Sequence, residues 1–225
     1  MSLSRWCLFV AVNAALVGLV LSPGAVAAAQ FRTACQMGGG AQFAQLPGAD
    51  VFTYSFRGVL SGCRSLDGPA PPTGTVEAGK TLTVPYYWSY VDELTGATFS
   101  GNAYATYQEP PASGSGGCAG STGTGSAIVT WADHSTTVLG FRTGGSAAAV
   151  GLNGNVLPSL GLALARYTGP PQSPPSATYV VTSTRYSSEN LHGVLFFEPP
   201  DPVLCNHLRS GRAALGGEVG LGSAG

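Results

Sequence analysis

Charged side chains are scarce in this chain, at 9% of its residues. Its 225 residues include 10 Lys or Arg, 11 Asp or Glu and 3 His, and one of the basic residues is a lysine. Nucleic acids and anionic membrane surfaces attract proteins rich in Lys and Arg, so this near-neutral balance argues against both as partners. Because 33 residues are Gly and 16 are Pro, solubility must come largely from uncharged polar side chains and from backbone groups in turns.

The chain also lacks the short motifs of common active sites. No serine has the Gly-x-Ser-x-Gly spacing of a nucleophile elbow. His134, His192 and His207 are scattered, without a His-x-His or His-Glu-x-x-His segment. A glycosidase needs two carboxylates in one cleft, and eleven acids offer many pairs, so this requirement discriminates nothing. We therefore assign no catalytic residue, no metal ligand and no cofactor.

A long apolar run occurs at the N-terminus. Arg5 precedes apolar residues 6–21, which are followed by Ser22-Pro-Gly24 and small residues up to position 29. This is the pattern of a secretory signal peptide, and the run is shorter than the roughly 20 residues of a spanning helix. We predict a signal peptide over 1–29 and one secreted domain over 30–225, without membrane contact after cleavage.

Four cysteines remain after such a cleavage, namely Cys35, Cys63, Cys118 and Cys205. An even number in an exported chain favours two disulfides, and the lack of Cys-x-x-Cys spacing argues against a zinc knot or a redox motif. Four cysteines allow three pairings, among which the sequence does not choose. Our working hypothesis pairs Cys35 with Cys63 and Cys118 with Cys205.

The segment Ser126–Arg142 shows the clearest strand pattern. Ala127, Val129 and Trp131 alternate with polar neighbours, and the same alternation resumes at Thr137 after a short polar connection. Period-2 alternation on both sides of a turn predicts a β-hairpin, here with a buried tryptophan.

Similar alternation predicts further strands at 52–61, 82–91, 99–107, 178–186 and 191–197. Residues 160–167 fit a strand or a short helix, and 213–221 fit one closing strand or a frayed tail. Residues 31–46 are mixed and glycine-rich, and Asn153-Gly154 is a strong turn signal. Proline-rich segments, including 109–117 and 169–176, are predicted as exposed loops.

This pattern predicts an all-β fold, a single β-sandwich or barrel of about ten mostly antiparallel strands that follows the signal peptide. The proline-rich loops divide the chain into quarters. Each quarter holds two or three strands, too few to bury a core alone, so one domain is expected.

The motifs Gly58-Val-Leu-Ser-Gly-Cys63, Gly123-Thr-Gly-Ser-Ala-Ile-Val-Thr-Trp131-Ala-Asp-His-Ser135 and a late Cys205 resemble those of a group of small secreted actinobacterial proteins. Members of this group have glycine where His134 stands in the turn. The resemblance implies a disulfide-braced, secreted β domain and transfers no activity.

Aromatic residues are dense in Tyr86-Tyr-Trp-Ser-Tyr90. By alternation Tyr86, Trp88 and Tyr90 belong to the core face with Leu82, whereas Tyr87 and Tyr104 lie on the polar face. Two rings paired across a hairpin would form a stacking platform for a sugar polymer. Tyr87 and Tyr104 are therefore the candidate ligand-binding residues.

The leading hypothesis is a secreted, monomeric, non-enzymatic binding or structural module at the cell envelope or outside it, in contact with a glycan, an envelope polymer or another extracellular protein. The first alternative is an extracellular, glycan-directed hydrolase with carboxylates on its loops. The second is an inhibitor of an extracellular enzyme, because a proline-rich loop such as 169–176 is suited to rigid presentation.

Overall fold

A computed structural model of the chain describes residues 31–45, 51–66, 68–70, 73–117, 120–146, 149–198 and 210–223. These residues form thirteen β-strands, compared with about ten predicted. The strands are β1 Phe31–Gln45, β2 Val51–Ser65, β3 Gly74–Ala78, β4 Thr81–Val91, β5 Thr98–Gln108, β6 Ala112–Gly117, β7 Gly120–Trp131, β8 Thr136–Ser146, β9 Ala149–Leu157, β10 Ser159–Tyr167, β11 Thr178–Thr182, β12 Asn190–Glu198 and β13 Ser210–Ser223.

Nine strands form an antiparallel sheet that closes into a barrel. The order is β1-β13-β12-β9-β8-β7-β3-β2, and β1 pairs with β2 to complete a ring of eight strands. β6 pairs with β2 and with β7 and so shares one position of the ring with β3. The all-β prediction is confirmed, and the structure is a barrel with an added sheet, not a sandwich of two open sheets.

Side chains fill the inside of the barrel. Ala127, Val129 and Trp131 of β7 point inward with Leu139 and Phe141 of β8, as their alternation predicts. The Trp131 indole, 3% exposed, donates a hydrogen bond from Nε1 to Thr137 Oγ1 at 2.9 Å. A barrel of eight strands is just wide enough to be filled by side chains, so this interior is a core.

The remaining strands form a four-stranded sheet in the order β11-β10-β5-β4. It covers the outer face of β7, where Ile128 packs with Ala105, Tyr107 and Leu162 in a second core. Residues 160–167, ambiguous between helix and strand, are β10 in this sheet. The barrel and the sheet are therefore joined by buried apolar surface.

The disulfide Cys35–Cys63 joins neighbouring strands β1 and β2, which confirms one predicted pair. The ladder shifts register between Ala34 and Gln36, and Gly62 has a φ of 57°. A glycine with positive φ permits a β-bulge, which places an extra residue of β2 opposite Cys35. Cys118 and Cys205, the other predicted pair, lie outside the described residues, as does the predicted signal peptide.

Two sequence interpretations are corrected by the ladder. Asn153-Gly154 is not a turn, because β9 continues through it and pairs with β8 and β12 on both sides. A Cβ at Gly154 would lie 2.0 Å from the Gly140 carbonyl oxygen, so the glycine permits close approach of two strands. The predicted loop 109–117 contains the short strand β6.

The turn of the Trp131 hairpin is closed by backbone hydrogen bonds from Trp131 N to Ser135 O and from His134 N to Trp131 O, each at 2.9 Å. His134 has a φ of 65°. A three-residue hairpin loop commonly ends in such a left-handed residue. This explains why glycine would suit position 134. No helix among the described residues is long and apolar enough to cross a membrane.

Candidate aromatic binding hairpin

The β4–β5 hairpin carries a row of aromatic rings on one face of the second sheet. Large residues of β4 lie opposite small residues of β5: Tyr86 faces Ala103 and Trp88 faces Gly101. Cross-strand pairing of a large with a small side chain lets the large one lie across its neighbour. At the hairpin end Tyr90 faces Phe99.

The rings of this row form two contacting groups. The Trp88 and Tyr90 rings stack with centroids 5.9 Å apart and an interplanar angle of 24°, and Tyr90 stacks on Phe99 at 5.6 Å and 26°. Tyr86 meets the Tyr167 ring edge-on at 5.7 Å. Tyr86, Trp88, Tyr90, Phe99 and Tyr167 are called the aromatic strip below.

The outer half of the aromatic strip extends beyond the second core. Leu82 and Val84, at the start of β4, pack against that core. Trp88 and Tyr90 are half-buried but belong to neither core cluster, and Phe99 is 46% exposed. The predicted shared face of β4 is therefore confirmed, whereas the predicted core position of Tyr86, Trp88 and Tyr90 is not.

Tyr87 and Tyr104 lie on the opposite face of the hairpin, with 65% and 58% of their surface exposed. Tyr87 is opposite Asn102, and Tyr104 is opposite Pro85. The two tyrosines are thus diagonal neighbours, at about 7–8 Å, and not a directly opposed pair. Their role in binding stays a prediction.

Exposed apolar surface is concentrated on this hairpin. Large apolar side chains are usually exposed singly, and a group of them marks an interaction site. The exposed members here are divided between the two faces and the turn: Tyr87, Val91 and Tyr104 lie on one face, Phe99 lies on the face of Trp88, and Leu94 lies in the turn.

The proline-rich loop 169–176 lies against the inner end of the aromatic strip. Three tyrosine hydroxyls donate to its backbone carbonyls: Tyr86 to Pro174 at 3.3 Å, Tyr167 to Ser173 at 2.8 Å and Tyr107 to Ser176 at 3.0 Å. Pro175 is buried. The loop is therefore fixed to the sheet, whereas the sequence predicted an exposed segment.

Three exposed or half-buried acidic side chains are held by hydrogen bonds or ion pairs with neighbouring groups of the protein. Asp92 Oδ1 accepts hydrogen bonds from Thr95 Oγ1 at 2.7 Å and from the Thr95 amide at 2.8 Å, which lowers the pKa of the Asp92 carboxyl. On the barrel surface Glu77 pairs with Lys80 at 2.9 Å. Glu218 pairs with Arg64 at 2.6 Å.

Asp133 fixes the Trp131 turn. Its carboxylate accepts from the Ser135 hydroxyl at 2.6 Å and from the Arg185 guanidinium at 2.5 Å. The pKa of Asp133 is lowered to about 2, mainly by the hydrogen bonds from Ser135 and to a smaller extent by the hydrogen bond from Arg185. The guanidinium also lies 6.0 Å from the Trp131 ring centroid. This cluster ties the hairpin to the segment after β11.

Glu109 is a buried carboxyl where the barrel meets the second sheet. It is 0% exposed, accepts from Ser126 Oγ at 2.7 Å and from the Lys80 amide at 2.9 Å. Desolvation raises its pKa, although the Lys80 amide, the Ser126 hydroxyl and the Lys80 charge oppose that shift. Both oxygens are therefore occupied by the protein's own groups.

No group of three or more His, Cys, Asp or Glu side chains that could hold a metal ion occurs among the described residues. His134 is in the turn, and His192 Nδ1 lies 3.1 Å from Asn153 Oδ1 on the barrel surface. His207 lies outside the described part of the chain.

An open cleft of about 520 Å³ lies at the barrel end where β1 ends and β2 and β13 begin. The described residues that line it include Gln42, Tyr54, Gln108 and Arg212, and none of them carries a carboxylate. A glycosidase requires two carboxylates in its cleft. The described lining therefore lacks the groups for that chemistry.

Sequence reasoning named Tyr87 and Tyr104 and missed the stacked rings on the other face. Trp88, Tyr90 and Phe99 alternate with polar residues and so resembled core positions. Gly101 opposite Trp88 was no signal, because the buried Trp131 also lies opposite a glycine, Gly74.

Comparisons with protein-family models, with curated proteins and with solved structures gave no match to this chain. The resemblance to small secreted actinobacterial proteins stays a prediction.

Proposed function

We propose that this protein is a non-enzymatic binding module that acts outside the cytoplasm and holds a glycan or a similar envelope polymer on the aromatic strip. The observation that carries the proposal is the stacked row Trp88, Tyr90 and Phe99 beyond the second core. Aromatic faces stack on apolar faces of sugar rings, and tyrosine hydroxyls add hydrogen bonds at a wet surface.

The electrostatics of the hairpin support a neutral ligand. β4 contains no charged side chain. The nearest acid beyond it, Asp92, is engaged by Thr95 in its own turn. Trp88 and Tyr90 follow each other along β4 with ring centroids 5.9 Å apart, and Phe99 extends this apolar surface across the hairpin.

The cellular location rests on the cysteines and the N-terminal pattern. The Cys35–Cys63 disulfide is compatible with an oxidising compartment outside the cytoplasm. Secretion itself is part of the proposal, supported by the predicted signal peptide over 1–29.

Retention on insoluble polymers tests the proposal. The purified chain is mixed with peptidoglycan, chitin or cellulose, and the bound fraction is measured for the parent, for W88A/Y90A and for Y87A/Y104A. Each ring is expected to contribute about 1 kcal/mol, so W88A/Y90A should bind tenfold more weakly or worse. Because these residues lie outside both core clusters, the melting temperature should change little.

The Y87A/Y104A variant is the matched control, with two aromatic rings removed from the other face. It should bind like the parent. Loss of binding in this variant alone would assign the ligand to Tyr87 and Tyr104. Failure of the parent to bind any of the three polymers would contradict the proposed function.

A further inference from the structure

β4 is the outermost strand of the second sheet, and among the described residues it pairs with β5 only. Its 11 residues include no charged side chain, and its pairing with β5 has no bulge. Edge strands in soluble proteins usually carry charges, bulges or prolines that prevent the addition of another strand. Here Pro85 provides the one such interruption.

The hydrogen bonds of Tyr104 show which backbone groups of β4 point to the open edge. The Tyr104 amide donates to Thr168 Oγ1 at 2.9 Å, and its carbonyl accepts from the Thr168 amide at 3.0 Å, so both point away from β4. Opposed residues in an antiparallel pair exchange both hydrogen bonds or neither. Pro85, opposite Tyr104, therefore directs its backbone to the open edge.

Alternation along the strand extends this assignment. Every second residue after Pro85 also directs its amide and its carbonyl to the open edge. The alternation requires the Asp92 amide to point toward β5, away from the open edge. It does so, because it donates to the Ala97 carbonyl at 2.9 Å across the hairpin. The residues with outward backbone groups beyond Pro85 are Tyr87, Ser89 and Val91.

We infer that this edge binds the same edge of a second copy of the chain, antiparallel and about a two-fold axis at Ser89. Ser89 then lies opposite its own copy, and Tyr87 lies opposite Val91 of the second copy. These three pairs exchange about six backbone hydrogen bonds. An interface that contacts itself in this way is what closed two-fold symmetry requires.

The side chains on both faces match in this register. Tyr87 and Val91, 65% and 59% exposed, form an aromatic and β-branched pair on one face. On the other face Trp88 lies opposite Tyr90 of the second copy, so the aromatic strip continues from one molecule into the next. Both pairs bury apolar surface that the single chain exposes.

The ends of the strand set the register and the direction. Pro85 has no amide proton to donate at one end, and the turn begins at Asp92 at the other. Antiparallel pairing places Asp92 and Glu93 of one copy beside uncharged residues of the other. Parallel pairing would bring the acidic turns together, which like-charge repulsion opposes.

The inference concerns the strand edge and does not depend on the proposed glycan ligand. It departs from the monomer expected from the sequence. A contact of five residues on each strand is at the small end of protein interfaces, so a dissociation constant on the order of tens of micromolar is expected.

Sedimentation velocity of the full chain from about 1 to 300 μM tests the association, and cysteine cross-linking tests the register. S89C should form an intermolecular disulfide in air, because hydrogen-bonded antiparallel partners have Cα atoms about 5.5 Å apart. S100C is the matched control, since Ser100 lies opposite Ser89 on β5, one strand further from the axis.

Two further variants separate association from folding. S89P removes the central donor, whose amide faces away from β5, and should abolish the dimer while the circular dichroism spectrum is preserved. S89K should do the same by placing two lysines opposite each other. A parent chain that stays monomeric at 300 μM, or equal cross-linking of S89C and S100C, would overturn the inference.

Discussion

The indole of Trp88 lies across the backbone of Gly101, where a Cβ atom would be 2.7 Å from Cζ2 of the ring. Real Cβ contacts are never this short, so a side chain at position 101 would have to displace the indole. The position of Trp88, and through it the stacking on Tyr90, therefore depends on a glycine of the neighbouring strand.

The first prediction concerns this glycine. G101A should tilt the indole away from the strand and weaken polymer retention several-fold, with a change in tryptophan fluorescence. G38A is the matched control, because a Cβ at Gly38 meets no atom within 4 Å. Equal retention by G101A and the parent would show that the indole does not contact the polymer.

The second prediction concerns the Cys35–Cys63 disulfide. It closes a segment with a sequence separation of 28 residues, for which the chain-entropy relation gives about 3.6 kcal/mol. C35A/C63A should lower the free energy of unfolding by about 2–4 kcal/mol in a urea titration. A loss below about 1 kcal/mol would mean that the β1–β2 ladder holds this end of the barrel without the disulfide.

The third prediction concerns His134, whose φ of 65° is unfavourable for any residue with a Cβ atom. H134G should raise the free energy of unfolding by about 0.5–1 kcal/mol, because strain relieved in the turn exceeds the added freedom of the unfolded chain. Urea unfolding against the parent measures this. A less stable H134G would show that the imidazole makes a compensating contact.

The fourth prediction concerns Glu109, whose pKa is raised by burial above its ordinary value of 4.5. As pH rises from 4.5, the unfolded chain loses this proton while the folded chain still holds it, so Glu109 makes the fold less stable over that window. E109Q, which keeps an acceptor for the Lys80 amide, should remove this part of the pH dependence. Melting temperatures from pH 4 to 8 for parent and variant should diverge as pH rises, and parallel curves would contradict the assignment.

The sequence predicted strands where the two faces differ in polarity. β7 and β8 alternate around Trp131, so their pairing and the buried tryptophan could be predicted. β1 could not, because Gly38, Gly39 and Gly40 have no side chains to alternate. β1 pairs with β13, which lies at the other end of the described sequence. Local periodicity contains no information on a contact between residues so far apart in the chain.

Local alternation was also insufficient to predict the candidate site. Alternation correctly separated Tyr87 and Tyr104 from the face of Trp88. Whether Trp88 lies in a core or on a surface depends on which element covers that face, and the second core ends before it. The element that covers a strand face is determined by how one sheet packs on another, and the sequence of the strand alone does not show it.

The most direct test of the proposed function is the fluorescence of Trp88 during titration with a soluble ligand such as chitohexaose or solubilised peptidoglycan fragments. The parent should show a saturable shift in emission as the indole is covered, and W88F, which keeps the buried Trp131, should show none. An unchanged parent spectrum while the polymer is bound, or the same shift in W88F, would contradict the role of the aromatic strip.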